Sequence, residues 1–237
     1  NYSGITNNLG VKGSSGDFSY VLRGNMTDNQ NFSTPDGEVE NTWLKEYDFQ
    51  GGLKYQSEKF SSDLRLSVNI SELGIPEGEE GHEDHDDHED HDDHEDHEGH
   101  YQELSHTMLT WKNNFDLGNN HELEITLGRQ FNERKEFGGH GEEEGHEGHD
   151  DHDDHEGHDD HGHGGSGAEL DMELTTNTID VSLTMPQSDN FNMILGTNIL
   201  SQENKNFGFE ELIPDANMND FGIYGLGQIK MKNGSAL

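Results

Sequence analysis

The chain has 237 residues, a formal net charge of −38, 27% hydrophobic residues and no cysteine. So acidic a chain lacks the basic patch that phosphate neutralisation requires, which excludes nucleic acid and anionic headgroups as electrostatic partners and leaves cations as the natural ones. Absence of thiols excludes a disulfide framework and a Cys-based zinc site, and no stretch approaches the roughly 18 apolar residues of a membrane helix, so any membrane crossing must use strands.

Low hydrophobicity with high net charge ordinarily means disorder. Here about half of the Asp and Glu falls in two low-complexity tracts, and the rest of the chain alternates in an ordered way. From Ser3 the pattern reads strand, turn at Ser14-Ser15-Gly16-Asp17, strand. Within Asp17 to Met26, Phe18, Tyr20, Leu22, Gly24 and Met26 share one face and Ser19, Val21, Arg23 and Asn25 the other, the period of two of a half-buried strand. A loop over 27–42 carries Pro35-Asp36-Gly37, where Pro presets φ and Gly accepts a positive one. Trp43 to Gln56 reads as the next strand, with Tyr47, Phe49, Leu53 and Tyr55 in phase. Past a short turn at Ser57-Glu58-Lys59, Phe60 to Ile70 alternates Phe60, Leu64, Leu66, Val68 and Ile70 against Ser61, Asp63, Arg65, Ser67 and Asn69.

Leu73-Gly74-Ile75-Pro76 then leads into the first tract, Glu77 to His100. His82, His85, His88, His91, His94, His97 and His100 recur every third residue, and nearly everything between them is Asp or Glu, with Asp84, Asp87, Asp90, Asp93 and Asp96 the carboxylates placed with them. Strand pattern resumes at Tyr101 with Leu109, Trp111, Phe115 and Leu117, turns at Gly118-Asn119-Asn120, and returns through Leu123, Ile125, Leu127 and Phe131. The second tract, Gly139 to Gly165, holds His140, His146, His149, His152, His155, His158, His161 and His163 with Asp151, Asp154 and Asp160. Ile179, Val181, Leu183 and Met185 form the next strand, Pro186 to Asn190 a short turn, and Phe191, Met193, Leu195, Thr197 and Ile199 the return. A last long loop, 201–220, precedes Phe221, Ile223, Ile229 and Met231.

The pattern predicts an all-β chain of about nine strands of roughly ten residues in which short turns alternate with long loops. A soluble sandwich or barrel mixes loop lengths at both ends, whereas an outer-membrane barrel has short periplasmic turns, long extracellular loops and spanning strands of about 9–11 residues that alternate apolar-out with polar-in. An antiparallel up-and-down transmembrane β-barrel, partial over residues 1–237, is therefore expected. Asp63, Arg65, Lys112, Asp116 and Asp180 would face its lumen, and Trp43, Tyr47, Tyr101 and Trp111 are candidates for an interfacial girdle. Nine strands do not close a single-chain bacterial barrel, which needs an even number. The sequence thus reads as a piece of a longer barrel, with the two His/Asp-rich loops at 74–100 and 133–172 extracellular.

Neutral imidazole and carboxylate together form the ligand set of Zn²⁺, and imidazole also suits Ni²⁺, Cu²⁺ and Co²⁺. A solvated acidic spacer would explain the carboxylates but not the histidine period. Fifteen of the 17 histidines lie in the tracts, and each tract offers overlapping ligand triads for about two ions at three or four ligands apiece. Roughly two dozen carboxylates would concentrate cations, and the imidazoles would select transition metals over Ca²⁺ and Mg²⁺, which prefer oxygen shells. Capture of this kind fails as pH falls below about 6.5, where imidazole protonates. Of the two remaining histidines, His106 at the start of a strand is a candidate deeper ligand, and His121 beside a short turn is not. No catalytic constellation is present, since no carboxylate is placed in an apolar pocket that would tune it.

Together, RLSVNISELGIPEG opening on a His-rich loop, a second such loop one hairpin later, and Glu211-Leu212-Ile213-Pro214-Asp215-Ala216 ahead of the strand from Phe221 resemble the barrel of TonB-dependent outer-membrane receptors. The tracts resemble those of the zinc-transporting branch in particular. The resemblance implies a 22-stranded barrel, an N-terminal plug and uptake driven by the TonB complex. Neither plug nor TonB box is found in these residues. It also implies zinc as a captured or transported ion, with no tightly bound cofactor, and outer-membrane lipid around the wall. Two rivals are a metal-sequestering β-protein at the surface or in the periplasm, and Ca²⁺-dependent adhesion through the acidic loops.

Overall fold

The computed structural model describes residues 3–35, 37–76, 99–138, 167–188, 190–208, 213–231 and 234–236. Nine long strands follow one another: β1 (Gly4–Ser15), β2 (Phe18–Asn29), β5 (Leu44–Gln56), β6 (Phe60–Gly74), β7 (Tyr101–Gly118), β8 (His121–Phe137), β9 (Leu170–Ser188), β10 (Phe191–Asn206) and β11 (Ala216–Met231). A short strand, β12 (Gly234–Ala236), follows β11, and a small hairpin of β3 (Phe32–Thr34) and β4 (Gly37–Val39) rises within the connection after β2. Every long strand pairs antiparallel with its chain neighbours, so the main sheet is a ten-stranded meander in the order β1-β2-β5-β6-β7-β8-β9-β10-β11-β12.

Short turns lie at one end, at Gly16-Asp17, 57–59, Asn119-Asn120 and 189–190, and long connections, 30–43, 75–100, 138–169 and 207–215, at the other. The tight turn between β7 and β8 is set by Asn119 and Asn120, whose φ of 53° and 60° are the left-handed pair that a type I′ hairpin needs.

Register divides the wall into two faces. In one row Phe60 pairs with Phe115, Phe115 with Leu123, Leu123 with Leu183 and Leu183 with Leu195. Two rows away Leu64, Trp111, Leu127, Ile179 and Ile199 line up the same way. These side chains form an apolar belt that is far from buried: Leu64 is 40% exposed, Trp111 45% and Leu195 45%. Among the described residues the buried apolar side chains are Ala168 and Leu170, next to the second tract. A single sheet whose apolar face packs on no second layer is unstable in water, and a belt this continuous exceeds what soluble proteins leave open. Lipid is the medium that satisfies it.

The opposite face is polar. Asp63 pairs with Arg65 at 2.8 Å and Lys112 with Glu124 at 2.7 Å, while Asn25 and Asn69 both donate to the Asp48 carboxylate, at 2.9 and 2.7 Å. Asp63, Arg65, Lys112, Asp116 and Asp180 all belong to this side by strand alternation, as expected for a lumen. The belt also steps down across the sheet. On β6 it reaches Ile70, on β8 it reaches Phe131 one row lower, and on β10 Ser201 already follows Ile199. Such a step is what tilted strands in a staggered barrel require.

The strands outrun the expected boundaries. β6 continues to Gly74, β8 to Phe137 and β10 to Asn206, while β9 begins at Leu170 and β11 at Ala216. The connection expected at 133–172 is thus 138–169, and residues 201–206 and 216–220 of the expected last loop are strand. Pro186 and Ser188 sit in β9, opposite Asn192 and Phe191, with a register shift between those two partners. Ladder hydrogen bonds need no apolar alternation, so paired strands persist where the side chains have turned charged.

Candidate metal-binding rim

Both tracts hang from the long-connection end of four consecutive strands, β6 to β9. The first tract is pinned at its foot. Ile75 N donates to His100 O at 2.8 Å, closing the two ends onto each other. Asn41 Nδ2 bridges them by donating to Ile75 O at 2.7 Å and to His100 O. Asn41 is held in turn by Trp43 Nε1, which donates to its Oδ1 at 3.0 Å, and takes a φ of 56°, a conformation asparagine tolerates better than most residues. Gly74 N donates to Trp43 O at 3.1 Å, so the clasp is anchored on β6 as well.

The second tract has a comparable foot. Glu169 N donates to Glu136 O at 2.8 Å, and its neighbours Ala168 and Leu170 are buried, 1% and 6% exposed. Phe207 N donates to Asp171 O at 2.7 Å, which ties the start of the β10–β11 connection to the same place. The two feet adjoin. Tyr101, directly after His100, pairs with Phe137, and their rings stack at 4.6 Å with 14° between planes, while the Trp43 ring lies 6.3 Å from Tyr101. The four strand ends that flank the tracts therefore lie in one patch, on strands about 4.8 Å apart.

Between this patch and the apolar belt lies a charged band on the outward side. Glu72, Glu103, Lys135 and Asp171 form one row and Ser105, Glu133, Glu173 and Lys205 the next. Lys135 Nζ is 2.8 Å from Glu133, and Lys205 Nζ 3.2 Å from Glu203. The hydrogen bond that Lys135 donates to the Glu133 carboxylate raises the Lys135 pKa above its usual value, with Asp171 and Glu103 adding to it. On the inward side Gln102 Nε2 donates to Glu136 at 2.7 Å, and Arg134 approaches the same carboxylate at 3.4 Å.

Of the ligands expected from sequence, His100 stands at the first foot. His82, His85, His88, His91, His94 and His97, with Asp84, Asp87, Asp90, Asp93 and Asp96, lie outside the described residues. So do His140, His146, His149, His152, His155, His158, His161 and His163, with Asp151, Asp154 and Asp160. Among the described residues no three His, Asp or Glu side chains are grouped to hold a metal. His106 faces the lumen, in register with Asn69 and Asn132, and its Nδ1 is 3.2 Å from Asn132 Nδ2. With that nitrogen engaged by an amide, it sits as a hydrogen-bonded wall residue. His121 lies at the short-turn end, Nδ1 3.3 and 3.1 Å from the carbonyls of Gly118 and Asn119.

The interfacial girdle is only partly where it was expected. Tyr47 and Trp111 sit on the belt face, but Trp43 and Tyr101 stand above the charged band and bind the tract feet together. Phe18, Tyr55, Phe60 and Phe115 supply a row of rings at the short-turn end, with Phe18 4.9 Å from Tyr55 and Phe60 4.9 Å from Phe115. Asn41, Trp43 and Phe137 carry the rim's geometry and were not expected to. Asn41 lies in a loop with no alternation, and nothing local marks its reach to Ile75.

Neither a family model nor a curated protein matches the sequence. In structure the chain is similar to the FrpB iron transporter from Neisseria meningitidis (F3-3 variant), with a TM-score of 0.66 and 12% identity over 98% of this chain. The likeness is one of fold. The chain has the fold of part of a transmembrane β-barrel wall. It spans 36% of the length of that transporter, and the likeness supports, as a fold, the TonB-dependent receptor barrel that the sequence resembles.

Proposed function

We propose that this chain is part of the barrel of a TonB-dependent outer-membrane receptor that imports a divalent transition metal, zinc first, with Ni²⁺, Cu²⁺ and Co²⁺ as the chemically allowed alternatives. Its two His/Asp-rich loops face outward and capture the ion at the cell surface. The observation that carries this reading is the joining of the two feet at Tyr101 and Phe137, at the end of the wall opposite the short turns. Short turns are periplasmic in barrels of this type, which supports an outward position for the tracts. That the structural neighbour is an iron transporter, not an enzyme, agrees with metal cargo and with the lack of a catalytic constellation.

Each step follows from side-chain chemistry. Carboxylates of both tracts raise the local cation concentration, an effect that salt weakens. Neutral imidazoles then hold transition metals in preference to Ca²⁺ and Mg²⁺. Because the tracts share one foot, an ion leaving one meets the other at high effective concentration. Multi-register, modest affinity suits a relay, since an ion held tightly at the surface would not move inward. Lipid surrounds the belt, and energy comes from the TonB complex acting through the plug of the parent receptor.

Zinc uptake by cells expressing the parent receptor at limiting zinc tests this. Uptake should vanish when TonB is removed. Deletion of 77–98 and 139–166 should raise the zinc concentration needed for half-maximal uptake while sparing uptake at high zinc. If uptake ignores TonB and tract deletion only lowers surface-bound zinc, the chain sequesters metal and the import reading is wrong.

A further inference from the structure

On the outward face one cation stands apart. Arg129 lies on β8 between Leu127 and Phe131 in the outward alternation, and both it and Asn177, its partner on β9, are exposed. The outward cations nearer the tract feet each sit by a carboxylate: Lys45 lies 4.0 Å from Glu72, Lys135 2.8 Å from Glu133 and Lys205 3.2 Å from Glu203. Arg129 makes no ion pair and no hydrogen bond among the described residues.

Its row on the sheet changes character along the wall. Leu66 and Leu109 occupy that row on β6 and β7, and Arg129, Asn177, Ser201 and Asn219 occupy it on β8 to β11. One row toward the short turns the side chains are apolar throughout: Leu64, Trp111, Leu127, Ile179, Ile199 and Phe221. A strip of guanidinium, amides and hydroxyl, one group per strand at about 4.8 Å, thus borders the apolar belt over β8 to β11. A lipid-facing cation is costly at the membrane midplane and nearly free of cost at the interface, so the strip marks headgroup level on this part of the wall. We propose that Arg129, with Asn177 and Ser201 beside it, binds the phosphate of a lipid headgroup at the margin of the belt.

The donor set selects the ligand. The guanidinium fork matches phosphate bidentately, Asn177 and Ser201 add neutral donors, and no carboxylate shares their row. A formal charge of −38 repels free anions from solution. A headgroup is held at this height by its own chains against Leu127, Ile179 and Ile199, and so meets Arg129 at high effective concentration. The site uses no tract residue, and it rests on the lipid-facing belt, not on metal import.

Native mass spectrometry of the parent receptor, released from detergent micelles carrying equimolar phosphatidylglycerol and diacylglycerol, tests the site. Wild type should retain phosphatidylglycerol and not diacylglycerol, and equally so after both tracts are deleted. Arg129→Gln should weaken retention about tenfold, the size expected for loss of a charge-assisted pair. Asn177→Asp gives Arg129 a carboxylate within the chain and should weaken retention as much, so the site stays testable where Arg129→Gln does not assemble. Lys135→Gln removes a cation that is already paired and should change nothing. Absence of phosphatidylglycerol from wild type overturns the site, as does retention that survives either of the first two substitutions or falls equally with Lys135→Gln. Displacement of the lipid by inorganic phosphate would make the ligand a free anion and overturn the headgroup.

Discussion

The apolar belt and the stalk above it are built from the same strands yet held by different forces. In the belt, side chains such as Leu66, Leu109, Ile179 and Leu195 are turned outward with no second layer of protein over them, so stability has to come from the surrounding medium. In the stalk, from Glu72, Glu103, Glu133 and Asp171 upward, the outward residues are charged, and stability comes from ion pairs, side-chain hydrogen bonds and the stacked rings at the top. The difference separates the two tasks of the wall. One half carries the apolar belt, and the other carries the joined strand ends that flank the two acidic tracts.

A charge placed in each half breaks the comparison most sharply. Leu66→Lys sets an ammonium near the middle of the belt on β6, where a lipid-facing Lys costs about 2–4 kcal/mol. Ser105→Lys, on the same outward face but opposite Glu133, should change stability by no more than about 0.5 kcal/mol, as for an ordinary surface substitution. The fraction of parent receptor that assembles into heat-modifiable barrel reads both. Equal effects at the two sites would mean that the belt does not face lipid.

Removing the top of the stalk is the next largest test. Tyr101→Ala deletes the contacts to Phe137 and Trp43, each ring pair contributing about 0.5–1.5 kcal/mol beyond its burial. Amide exchange at Gln102 and Glu136 should speed by roughly tenfold or more, at 1.4 kcal/mol per decade, while Leu109 and Leu127 in the belt keep their protection. Faster exchange along the whole of β7 and β8 would show one cooperative unit and dissolve the distinction.

The same division decides what could be read from sequence. All nine long strands were legible because belt side chains impose a period of two, as in Phe18 to Met26 or Phe60 to Ile70, and the short turns carry Gly, Asn or Pro. The stalk was not legible. In Asn132-Glu133-Arg134-Lys135-Glu136 both faces are polar, so alternation leaves no trace and the segment passes for loop. The β3–β4 hairpin was missed because three-residue strands leave too short a pattern. The metal reading of the tracts rests on histidine spacing alone and falls on residues outside the described ones, whereas the rim at their ends depends on contacts distant in sequence: Asn41 reaches Ile75 and His100, and Tyr101 meets Phe137. Such pairings exist only after the register is set.

The smallest expected effect concerns the ion pairs of the stalk. Glu133 holds the Lys135 pKa above its usual value, so the folded state binds that proton more tightly than the unfolded chain does. The pair's contribution is complete below the ordinary lysine range near 10.4 and is lost as pH rises through the higher folded value. Because both side chains remain partly solvated, the pair contributes only about 0.2–1 kcal/mol, less in high salt. Lys135→Met should therefore speed stalk opening at pH 7 by a factor of roughly 1.5–5, after conversion of that energy, with no change at the belt and a smaller effect in 1 M NaCl. If Lys135→Met leaves exchange at Glu133 and Glu136 unaltered even at low salt, the ladder hydrogen bonds and the aromatic foot hold the stalk without its charges, and the acidic rows serve the cations alone.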